Sequence, residues 1–429
     1  MCSAFDTIGN TQRDAYYENY DDITGLVESR NDEFARMEIN GNYILNCPAF
    51  YHYKGLSQCS SSLNADTTVL MEAIGLEGEP GKNRFNYNQT DPVTNAMLNV
   101  KYLISKNLPL DDPDFVQVDR QGNSYLYESR YPLSIGYMAG NEIRTWDTHS
   151  GNPFEVLNSY VRAATSNKYD KVFERAGKPQ LYTANAKAEY GGSGKVSTQT
   201  EDQSKKSEVI LKYKAAATQK YYVFVEADNA DEIIANENIE DLDEIQIRSD
   251  CGSIVNIGTV SEGEEFTVAV KYDAGDTGDI TCYVCSLDYE VWDGAYAMLS
   301  EHMMKVTDSG DRFIRGTVDA GDGGMLVTSV PYERGWTLKV DGIEKEIHEK
   351  TGGVFISNAL DAGEHELELS FKPPGIIAGS IATFISILIL AAYTILRKRR
   401  LMKLRARLVS TLSEAAVSQQ AVSDCNKTL

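Results

Sequence analysis

The pattern of hydrophobic and polar positions changes along the chain, and each change marks a predicted region. Up to residue 177, apolar runs alternate with turn signals in a mixture typical of helices and strands. Over residues 178–290, short runs are separated by acidic, glycine-containing turns, a pattern typical of a β-sandwich of the jelly-roll kind. A helix over residues 292–304 then leads into a second β module that ends near residue 372.

Local signals for helix ends and tight turns support this division. Asp91 followed by Pro92 predicts the start of a helix, with the aspartate as N-cap, and Asn152-Pro153 predicts another. Gly75 suits the end of a helix over residues 67–74. A hairpin turn is expected at Asp341-Gly342, where two strands of the last β module would meet. A further hairpin is expected over residues 115–127.

Residues 375–396 form the longest apolar stretch, and they carry no charge. As a helix these residues span about 33 Å, enough to cross a hydrocarbon core of about 30 Å. Seven basic residues and no acid follow over 397–407, which predicts that residues 397–429 are cytoplasmic and residues 1–372 extracytoplasmic. The tail is either an amphipathic helix on anionic lipid or a plain stop-transfer segment.

We therefore predict an α+β protein: a mixed α/β region followed by two β-sandwich-like modules and one C-terminal transmembrane helix. The predicted division begins with a lead-in segment (1–29), a mixed α/β domain (30–177) and a jelly-roll-like sandwich (178–290). It continues with a helix and a membrane-proximal β module (291–372), the membrane helix (373–396) and a basic tail (397–429).

The first residues contain no basic segment followed by an apolar run, so they do not form a signal peptide. A single C-terminal helix of the predicted orientation would have to carry the whole preceding chain across the membrane. We therefore expect further membrane helices upstream in the natural protein. Gly375 and Gly379 give the membrane helix a small-residue face on which another helix of that bundle is expected to pack.

The charge of the chain excludes one class of partner. Before the tail there are 33 basic and 61 acidic residues of the chain's 41 and 63, a net charge of about −28. Nucleic-acid binding requires clustered lysine and arginine at the phosphates. We therefore expect no nucleic-acid partner.

The motifs that carry metal or redox chemistry are weak in this sequence. Cys282 and Cys285 form a Cys-x-x-Cys, but in a strand they point to opposite faces, which favours structural cysteines. The aspartates at 111, 112 and 114 resemble a metal-binding Asp-x-Asp, yet Pro113 and the linker position favour a solvated loop. The acidic loop 273–279 has calcium-like spacing, but it lacks a closing glutamate and is expected to be the hairpin turn between strands 266–272 and 280–287. No metal or cofactor is predicted.

Several motifs, in a fixed order, resemble the extracytoplasmic region of the bacterial membrane protein family YfhO. The resemblance covers most of residues 30–400. Its motifs are Arg36-Met37-Glu38, Tyr51-His52-Tyr53-Lys54-Gly55-Leu56-Ser57, Ser60-Ser61-Ser62-Leu63-Asn64, Asn86-Tyr87-Asn88, Asp91-Pro92-Val93-Thr94-Asn95, Leu98-Asn99-Val100-Lys101-Tyr102-Leu103-Ile104, Asn152-Pro153-Phe154, Gly335-Trp336-Thr337-Leu338-Lys339-Val340-Asp341-Gly342, Ala362-Gly363-Glu364-His365-Glu366-Leu367-Glu368-Leu369 and Pro373-Pro374-Gly375.

The resemblance implies a function. YfhO-like proteins are polytopic and similar to GT-C glycosyltransferases, which implies sugar transfer from a polyprenyl-phosphate donor to a cell-wall polymer such as lipoteichoic acid. The catalytic carboxylate of that class lies near the first membrane helices, so no catalytic residue is predicted in this chain. Its role would be to dock over the membrane bundle and help hold acceptor or donor.

Six residues in the densest motifs are predicted to bind substrate: Arg36, Tyr53, Asn64, Tyr87, Asn95 and Lys101. Arg36 and Lys101 have the charge to contact a phosphate, and Tyr87 has a ring on which a sugar can stack. The alternative for all six is a purely structural role in the α/β region. The rival function is a membrane-anchored surface module that binds carbohydrate or protein without enzymatic activity.

Overall fold

The computed structural model describes residues 17–30, 34–40, 45–88, 91–237, 239, 242–347 and 349–425. The chain divides into two compact units, Met1–Ser370 and Phe371–Leu429. The described residues contain seven α-helices and many strands in several sheets, which confirms the α+β class. The six predicted domain boundaries stay a prediction. Of the predicted lead-in segment, residues 1–16 lie outside the described residues.

Polar caps begin the helices as the sequence predicts. The side chain of Asp91 accepts from the backbone N–H of Thr94 at 2.8 Å, and that of Asn152 accepts from the N–H of Phe154 at 3.1 Å. Gly75 follows its helix with φ +87°, a conformation that favours glycine. The helices are α1 (Tyr20–Glu28), α2 (Cys47–Tyr51), α3 (Ala65–Ala73), α4 (Pro92–Met97), α5 (Pro153–Ala164), α6 (Tyr289–Ser300) and α7 (Ile376–Cys425).

The strands are numbered in chain order, and two short 3₁₀ helices, Pro80–Lys82 and Asn141–Thr145, lie among them. The strands are β1 (Arg36–Asn40), β2 (Gln58–Cys59), β3 (Glu77–Glu79), β4 (Arg84–Asn86), β5 (Val100–Lys106), β6 (Phe115–Gln121), β7 (Ser124–Ser129), β8 (Gly136–Ala139), β9 (Phe173–Arg175), β10 (Gln180–Ala184), β11 (Ala186–Gly192), β12 (Lys195–Thr200), β13 (Ser207–Lys214), β14 (Gln219–Ala227), β15 (Glu232–Ala235), β16 (Ile245–Ile247), β17 (Ile254–Val260), β18 (Glu265–Tyr272), β19 (Ile280–Leu287), β20 (Lys305–Gly310), β21 (Phe313–Asp319), β22 (Gly324–Pro331), β23 (Trp336–Val340), β24 (Ile343–Lys345), β25 (Glu349–Thr351), β26 (Phe355–Leu360) and β27 (Glu364–Phe371).

The first region is built on a four-stranded sheet in the order β1-β5-β7-β6. Strands β1 and β5 are parallel, and β6 and β7 form the predicted hairpin. A small sheet, β2-β4-β3, stands beside helix α3. The apolar side chains of α3, α4 and α5 join one core with those of β5 and β7.

The middle region is a sandwich of two sheets. One sheet has the order β10-β13-β18-β15-β16, and the other has β11-β12-β19-β14-β17 with β9 added beside β19. Inward side chains of both sheets form one core. The expected pairing of strands 266–272 and 280–287 is wrong, because β18 lies in the first sheet and β19 in the second. The acidic loop 273–279 is therefore a connection between the two sheets. A short polar turn in the sequence does not distinguish a hairpin within one sheet from a connection between two sheets.

Strands β14 and β19 are covered on both faces. In β14, Tyr221 and Val223 lie in the sandwich core, whereas Tyr222 and Phe224 lie in the core of the first region. In the same way, Cys282 faces the sandwich and Cys285 faces the first region, both as free thiols. This confirms that the Cys-x-x-Cys residues point to opposite faces of a strand. One sheet thus serves two cores.

The last β module is a second sandwich. Its sheets have the orders β20-β21-β27-β23-β24 and β25-β26-β22-β8, with a core between them. Strand β8 comes from the first region and pairs with β22, so this sandwich is completed by a segment almost two hundred residues earlier. The predicted turn at Asp341-Gly342 joins β23 to β24, and both of its residues have positive φ, 53° and 74°.

A buried group of charges connects the first region to the sandwich. Lys220, at the start of β14, donates to Asp112 Oδ1 at 2.6 Å and to Asp114 Oδ2 at 2.8 Å. Tyr289 donates to Asp114 at 2.9 Å, and Asn256 donates to Asp112 at 3.2 Å. The three charged residues are between 2% and 6% exposed. The expectation of a solvated loop is therefore wrong for Asp112 and Asp114, because both carboxylates are buried and accept hydrogen bonds from the buried ammonium.

The second unit is described by itself. Helix α7 runs without interruption through the apolar residues 376–396 and on through the basic tail to Cys425. Within the described residues it is the one helix that is long and apolar enough to cross a membrane. The position of this helix agrees with the predicted membrane span over residues 375–396. The structure also shows that the helix continues into the basic tail.

The buried charge group gives the first testable expectation. Replacing Lys220 with methionine leaves two buried carboxylates without their cation, which costs about 3–5 kcal/mol of unfolding free energy. Urea unfolding of the detergent-solubilised chain, followed by tryptophan fluorescence, measures this loss. The matched control is Lys206→Met, which removes an exposed lysine whose partner is Asp273. Equal effects of the two substitutions would contradict a stabilising role for the buried group.

Candidate functional site

Arg36 is buried and acts as a clamp between distant strands. Its Nη1 donates to the carbonyl of Leu98 at 2.5 Å and to Ser329 Oγ at 2.7 Å, and its Nη2 donates to the carbonyl of Ser329 at 2.8 Å. Burial lowers the pKa of Arg36 to about 10, while the charge of nearby Glu38 opposes that shift. The guanidinium thus ties strand β1 to strand β22 of the last module.

Glu38 belongs to the first of the motifs but not to the predicted substrate-binding residues, and it is the centre of a buried polar network. Its carboxylate accepts from the backbone N–H groups of Leu56 and Ser57, from Ser57 Oγ at 3.2 Å and from the Tyr53 hydroxyl at 3.5 Å. Burial raises the pKa of Glu38 to about 7, against the lowering effect of these donors. The carboxyl is completely enclosed, so it serves the fold of this segment rather than a solvent-borne ligand.

The same network reaches two more of the predicted residues. The backbone N–H of Tyr87 donates to Ser57 Oγ at 3.0 Å, and the Tyr87 hydroxyl donates to Asn95 Oδ1 at 3.0 Å. Tyr87 and Asn95 are 3% and 1% exposed. Burial raises the pKa of Tyr87 well above its usual range. The structure therefore brings Tyr53, Tyr87 and Asn95 together around Glu38, with every polar contact made inside the protein.

The two remaining predicted residues lie apart from this network. Asn64 caps helix α3, and its amide donates to the carbonyl of Tyr332 at 3.4 Å. Lys101 lies 3.3 Å from Glu128 Oε1 and 5.2 Å above the ring of Tyr102, with its side chain partly exposed. Of the six, Lys101 has the most accessible charge for a substrate, and the substrate-binding role of all six stays a prediction.

A cleft of about 480 Å³ lies in the described part of the first unit. Ligand pockets in proteins commonly measure about 300–1,000 Å³. One wall comes from Glu72 of helix α3 and from residues 78–82, which comprise the end of β3 and a 3₁₀ helix, and the other comes from residues 226–228 and 249–252. The cleft therefore lies where the first region meets the sandwich.

One rim of the cleft is held by ion pairs. Arg248 contacts Glu77 at 3.2 Å, Glu79 at 3.4 Å and Asp250 at 2.9 Å, so one guanidinium bridges the two regions. Hydrogen bonding to Asp250 raises the pKa of Arg248. Glu79 also pairs with Lys82. These contacts fix the separation of the two walls.

The opposite rim carries carboxylates that have no side-chain partner among the residues the structure describes. They belong to Glu72, Glu226 and Asp228. Burial raises the pKa of Glu72, and the charge of Glu226 raises it further; the pKa of Glu226 is raised by burial and by Asp228. These three side chains are exposed at the edge of the cleft, so the acceptors at this rim are open to solvent.

The sequence did not indicate this cleft, since its walls come from segments about 150 residues apart. Its lining includes Gly78, Gly81 and Gly252, and glycine has no side chain whose chemistry could mark a site. No group of three or more His, Cys, Asp or Glu side chains with the geometry to hold a metal ion occurs in the described ranges. Hydrogen bonding is the chemistry this arrangement supports.

Comparison with known proteins gives a family match. The family model described as bacterial membrane protein YfhO matches residues 3–383 of the chain. The uncharacterized protein YfhO of Bacillus subtilis (strain 168) is 35% identical over 74 residues, which are 17% of this chain. The matched part spans only 8% of that relative's length.

Solved structures give weaker likenesses. A family 35 carbohydrate binding module from Clostridium thermocellum is 13% identical, with a TM-score of 0.18, and the match covers 27% of this chain and 95% of the module. The β-glucuronidase of Ruminococcus gnavus is 8% identical, also with a TM-score of 0.18, and the match covers 48% of this chain and 41% of the enzyme. Neither likeness is close enough to bear on the fold or the function.

The buried Glu38 network predicts a pH dependence of stability. Because the folded-state pKa, about 7, lies above the ordinary 4.5, the proton on Glu38 stabilises the fold at acid pH. That stability is lost as the pH rises from 4.5 to about 7, because the unfolded chain releases the Glu38 proton at a lower pH than the folded protein does. Relative to Glu38→Gln, the free energy of unfolding of the wild type should fall by about 3 kcal/mol across the interval.

Urea unfolding at a series of pH values measures this difference. The matched control is Glu262→Gln, at an exposed loop glutamate, which should keep the slope of the wild type. A wild-type curve parallel to that of Glu38→Gln would show that the carboxyl does not retain its proton in the fold.

Proposed function

The chain belongs to the YfhO family of bacterial membrane proteins, and on that premise we propose that it is the C-terminal part of a polytopic glycosyltransferase. The proposed reaction transfers a sugar from a polyprenyl-phosphate donor to a cell-wall polymer such as lipoteichoic acid. The observation that carries the proposal is the family match, which extends over residues 3–383. The chain itself is proposed to be non-catalytic.

The proposed topology follows from the last helix and its charge. Helix α7 has the length and apolar content to span a membrane, and basic residues cluster over 397–407 at one end of the apolar segment. The positive-inside rule favours a cytoplasmic tail and an extracytoplasmic position for residues 1–372. The missing partner is then a bundle of membrane helices of the same protein, which would carry the catalytic carboxylate.

The proposed role of the folded region is to hold acceptor or donor above that bundle. Two features support it. The cleft between the first region and the sandwich has the volume and the acceptors for a small polar ligand. Lys101 offers a partly exposed ammonium, the kind of group that binds the phosphate of a lipid-linked donor.

Transfer assays on the full-length protein in membranes test the proposal. We expect transfer from a polyprenyl-phosphate sugar by the full-length protein and none by the 429-residue chain alone. Lys101→Met in the full-length protein should reduce transfer about tenfold or more at normal abundance, because a charge-assisted contact to phosphate is lost. Lys187→Met, at an exposed lysine of strand β11, is the matched control.

Each outcome bears on a separate part of the proposal. Absence of transfer by the abundant full-length protein would contradict the reaction, and transfer by the isolated chain would contradict its non-catalytic role. Wild-type transfer by Lys101→Met would remove Lys101 from the donor site. Labelling of the exposed Cys59 by an impermeant maleimide in intact cells checks the topology, and protection of Cys59 until the membrane is opened would contradict it.

A further inference from the structure

The segment directly after the apolar part of helix α7 is strongly basic, although the chain as a whole has a net charge of −22. This basic segment covers residues 397–407 and contains no acid; the first acid after it is Glu414. All of its side chains are exposed. Its charged residues are Arg397, Lys398, Arg399, Arg400, Lys403, Arg405 and Arg407. Water can solvate exposed charges, so the position of the segment decides whether they have another partner.

The position of the basic segment is set by the apolar residues before it. Residues 376–396 form about 32 Å of helix, close to the thickness of a hydrocarbon core, about 30 Å. Arg397 therefore stands where the hydrocarbon ends and the lipid headgroups begin. The headgroup layer extends about 5–8 Å on each side of the core, so residues 397–400 lie within it. Lipid phosphates are thus the direct neighbours of these four side chains.

The unbroken helix presents its basic groups on all sides and at two heights. Successive residues of a helix are turned by about 100°, so residues 397–400 point to four different sides. Lys403, Arg405 and Arg407 stand about 9–15 Å beyond Arg397 along the same helix. Long lysine and arginine side chains at this height reach back toward the headgroups. A helix that leaves the membrane without a break does not lie flat on the lipid, so the basic segment is where the tail meets the headgroups.

The charges favour lipid over a second copy of this helix as the partner. Two such segments side by side would face each other with seven positive charges each and no acid between Arg397 and Arg407. The phosphates of anionic lipids neutralise the same charges. Five of the seven basic residues are arginines, and the planar guanidinium of arginine binds a phosphate through two parallel hydrogen bonds. Clusters of about four to eight basic residues beside a membrane span attract anionic lipid for this reason.

We propose that the basic segment, residues 397–407, binds the headgroups of anionic phospholipids, which surround helix α7 in the leaflet where its apolar part ends. A segment that only stops translocation needs its positive charge but has no preference among lipids, so headgroup selectivity separates the two roles. The inference rests on the proposed membrane span of α7, and it does not require the transferase reaction. The bound lipids hold the helix at a fixed depth in the membrane.

Electron spin resonance on the full 429-residue chain tests this headgroup selectivity. The chain is reconstituted into phosphatidylcholine vesicles that contain a trace of spin-labelled phosphatidylglycerol or of spin-labelled phosphatidylcholine. The ratio of the two association constants at the protein surface gives the preference. We expect phosphatidylglycerol to be favoured about threefold or more at low salt. The preference should shrink in about 0.5 M sodium chloride, because salt screens the attraction between exposed charges.

Two multiple substitutions locate the binding groups. The first variant changes all four basic residues at 397–400 to glutamine, and it should bring the ratio close to one. The second changes Lys403, Arg405 and Arg407 to glutamine and should lower the ratio by a smaller factor, because these residues stand farther from the headgroups. The second variant leaves the apolar segment and the four charges that follow it unchanged, so insertion of the helix is preserved.

A matched control removes three positive charges elsewhere. It changes Lys187, Lys195 and Lys205 to glutamine, which are exposed lysines of the sandwich region. The control should keep the preference of the wild type. Resistance to extraction by alkaline carbonate is measured for every variant, because it reports insertion of α7 independently of lipid selectivity.

The outcomes separate lipid binding from its alternatives. Equal association of the two lipids with the wild type, or a preference that both variants of the basic segment keep, would overturn the inference. A preference abolished by inorganic phosphate, but not by chloride at the same ionic strength, would replace the lipid with free phosphate. Carbonate extraction of the wild type would remove the span on which the inference rests. Lipid selectivity in a protein that transfers no sugar would overturn the transferase proposal alone.

Discussion

Lys220 holds a charge in the interior, and the arrangement of the large unit depends on how that charge is satisfied. An ammonium taken out of water is stable only with carboxylates and hydrogen-bond acceptors around it. Asp112 and Asp114 supply both, so the connector between β5 and β6 must follow the start of β14. Tyr289 and Asn256 complete the group from helix α6 and strand β17. Three separate segments of the chain are thereby fixed to one strand.

The same strand leads to the candidate site. Lys220 stands at the start of β14, while Glu226 stands near its end and lines the cleft. Both faces of β14 are packed, on one side into the sandwich and on the other into the first region. A wall that is anchored in this way cannot shift without opening two cores. The shape of this wall of the cleft is therefore fixed by the packing of the two regions.

Polar residues in this protein fall into two groups with different roles. Arg36, Asn64 and Glu38 bind carbonyls, N–H groups and hydroxyls inside the protein, and two of them reach the segment 329–332 of the last module. The carboxylates of Glu72, Glu226 and Asp228 at the cleft have no such partners within the described chain and are exposed to solvent. Motifs that resemble a family can thus mark residues that hold the regions together.

Local chemistry predicted much of the fold. Caps such as Asp91 and Asn152, the turn at Asp341-Gly342 and the uncharged stretch before Arg397 act over a few residues, so the sequence displays them directly. The continuous burial of most of β14 reflects its two covered faces.

Features that depend on distant segments were not predictable in this way. The burial of Asp112 depends on a lysine 108 residues away, and strand β8 pairs with the distant strand β22 of the last module. Glu38 looks like an ordinary polar position of an edge until Leu56 and Ser57 fold over it. The cleft forms only where residues 72–82 meet residues 226–252, and local sequence patterns do not reveal that contact.

Native-state hydrogen exchange tests most directly whether the first region and the sandwich form one body. The amides of β5 and β7 report on the first region, and those of β13 and β18 report on the sandwich. If the buried charges and the shared sheet join the regions, the slowest amides of both sets exchange through the same global opening, with the same free energy and the same urea dependence. If the amides of β5 and β7 exchange at a clearly lower opening free energy while those of β13 and β18 stay protected, the claim that the two regions form one body would be contradicted.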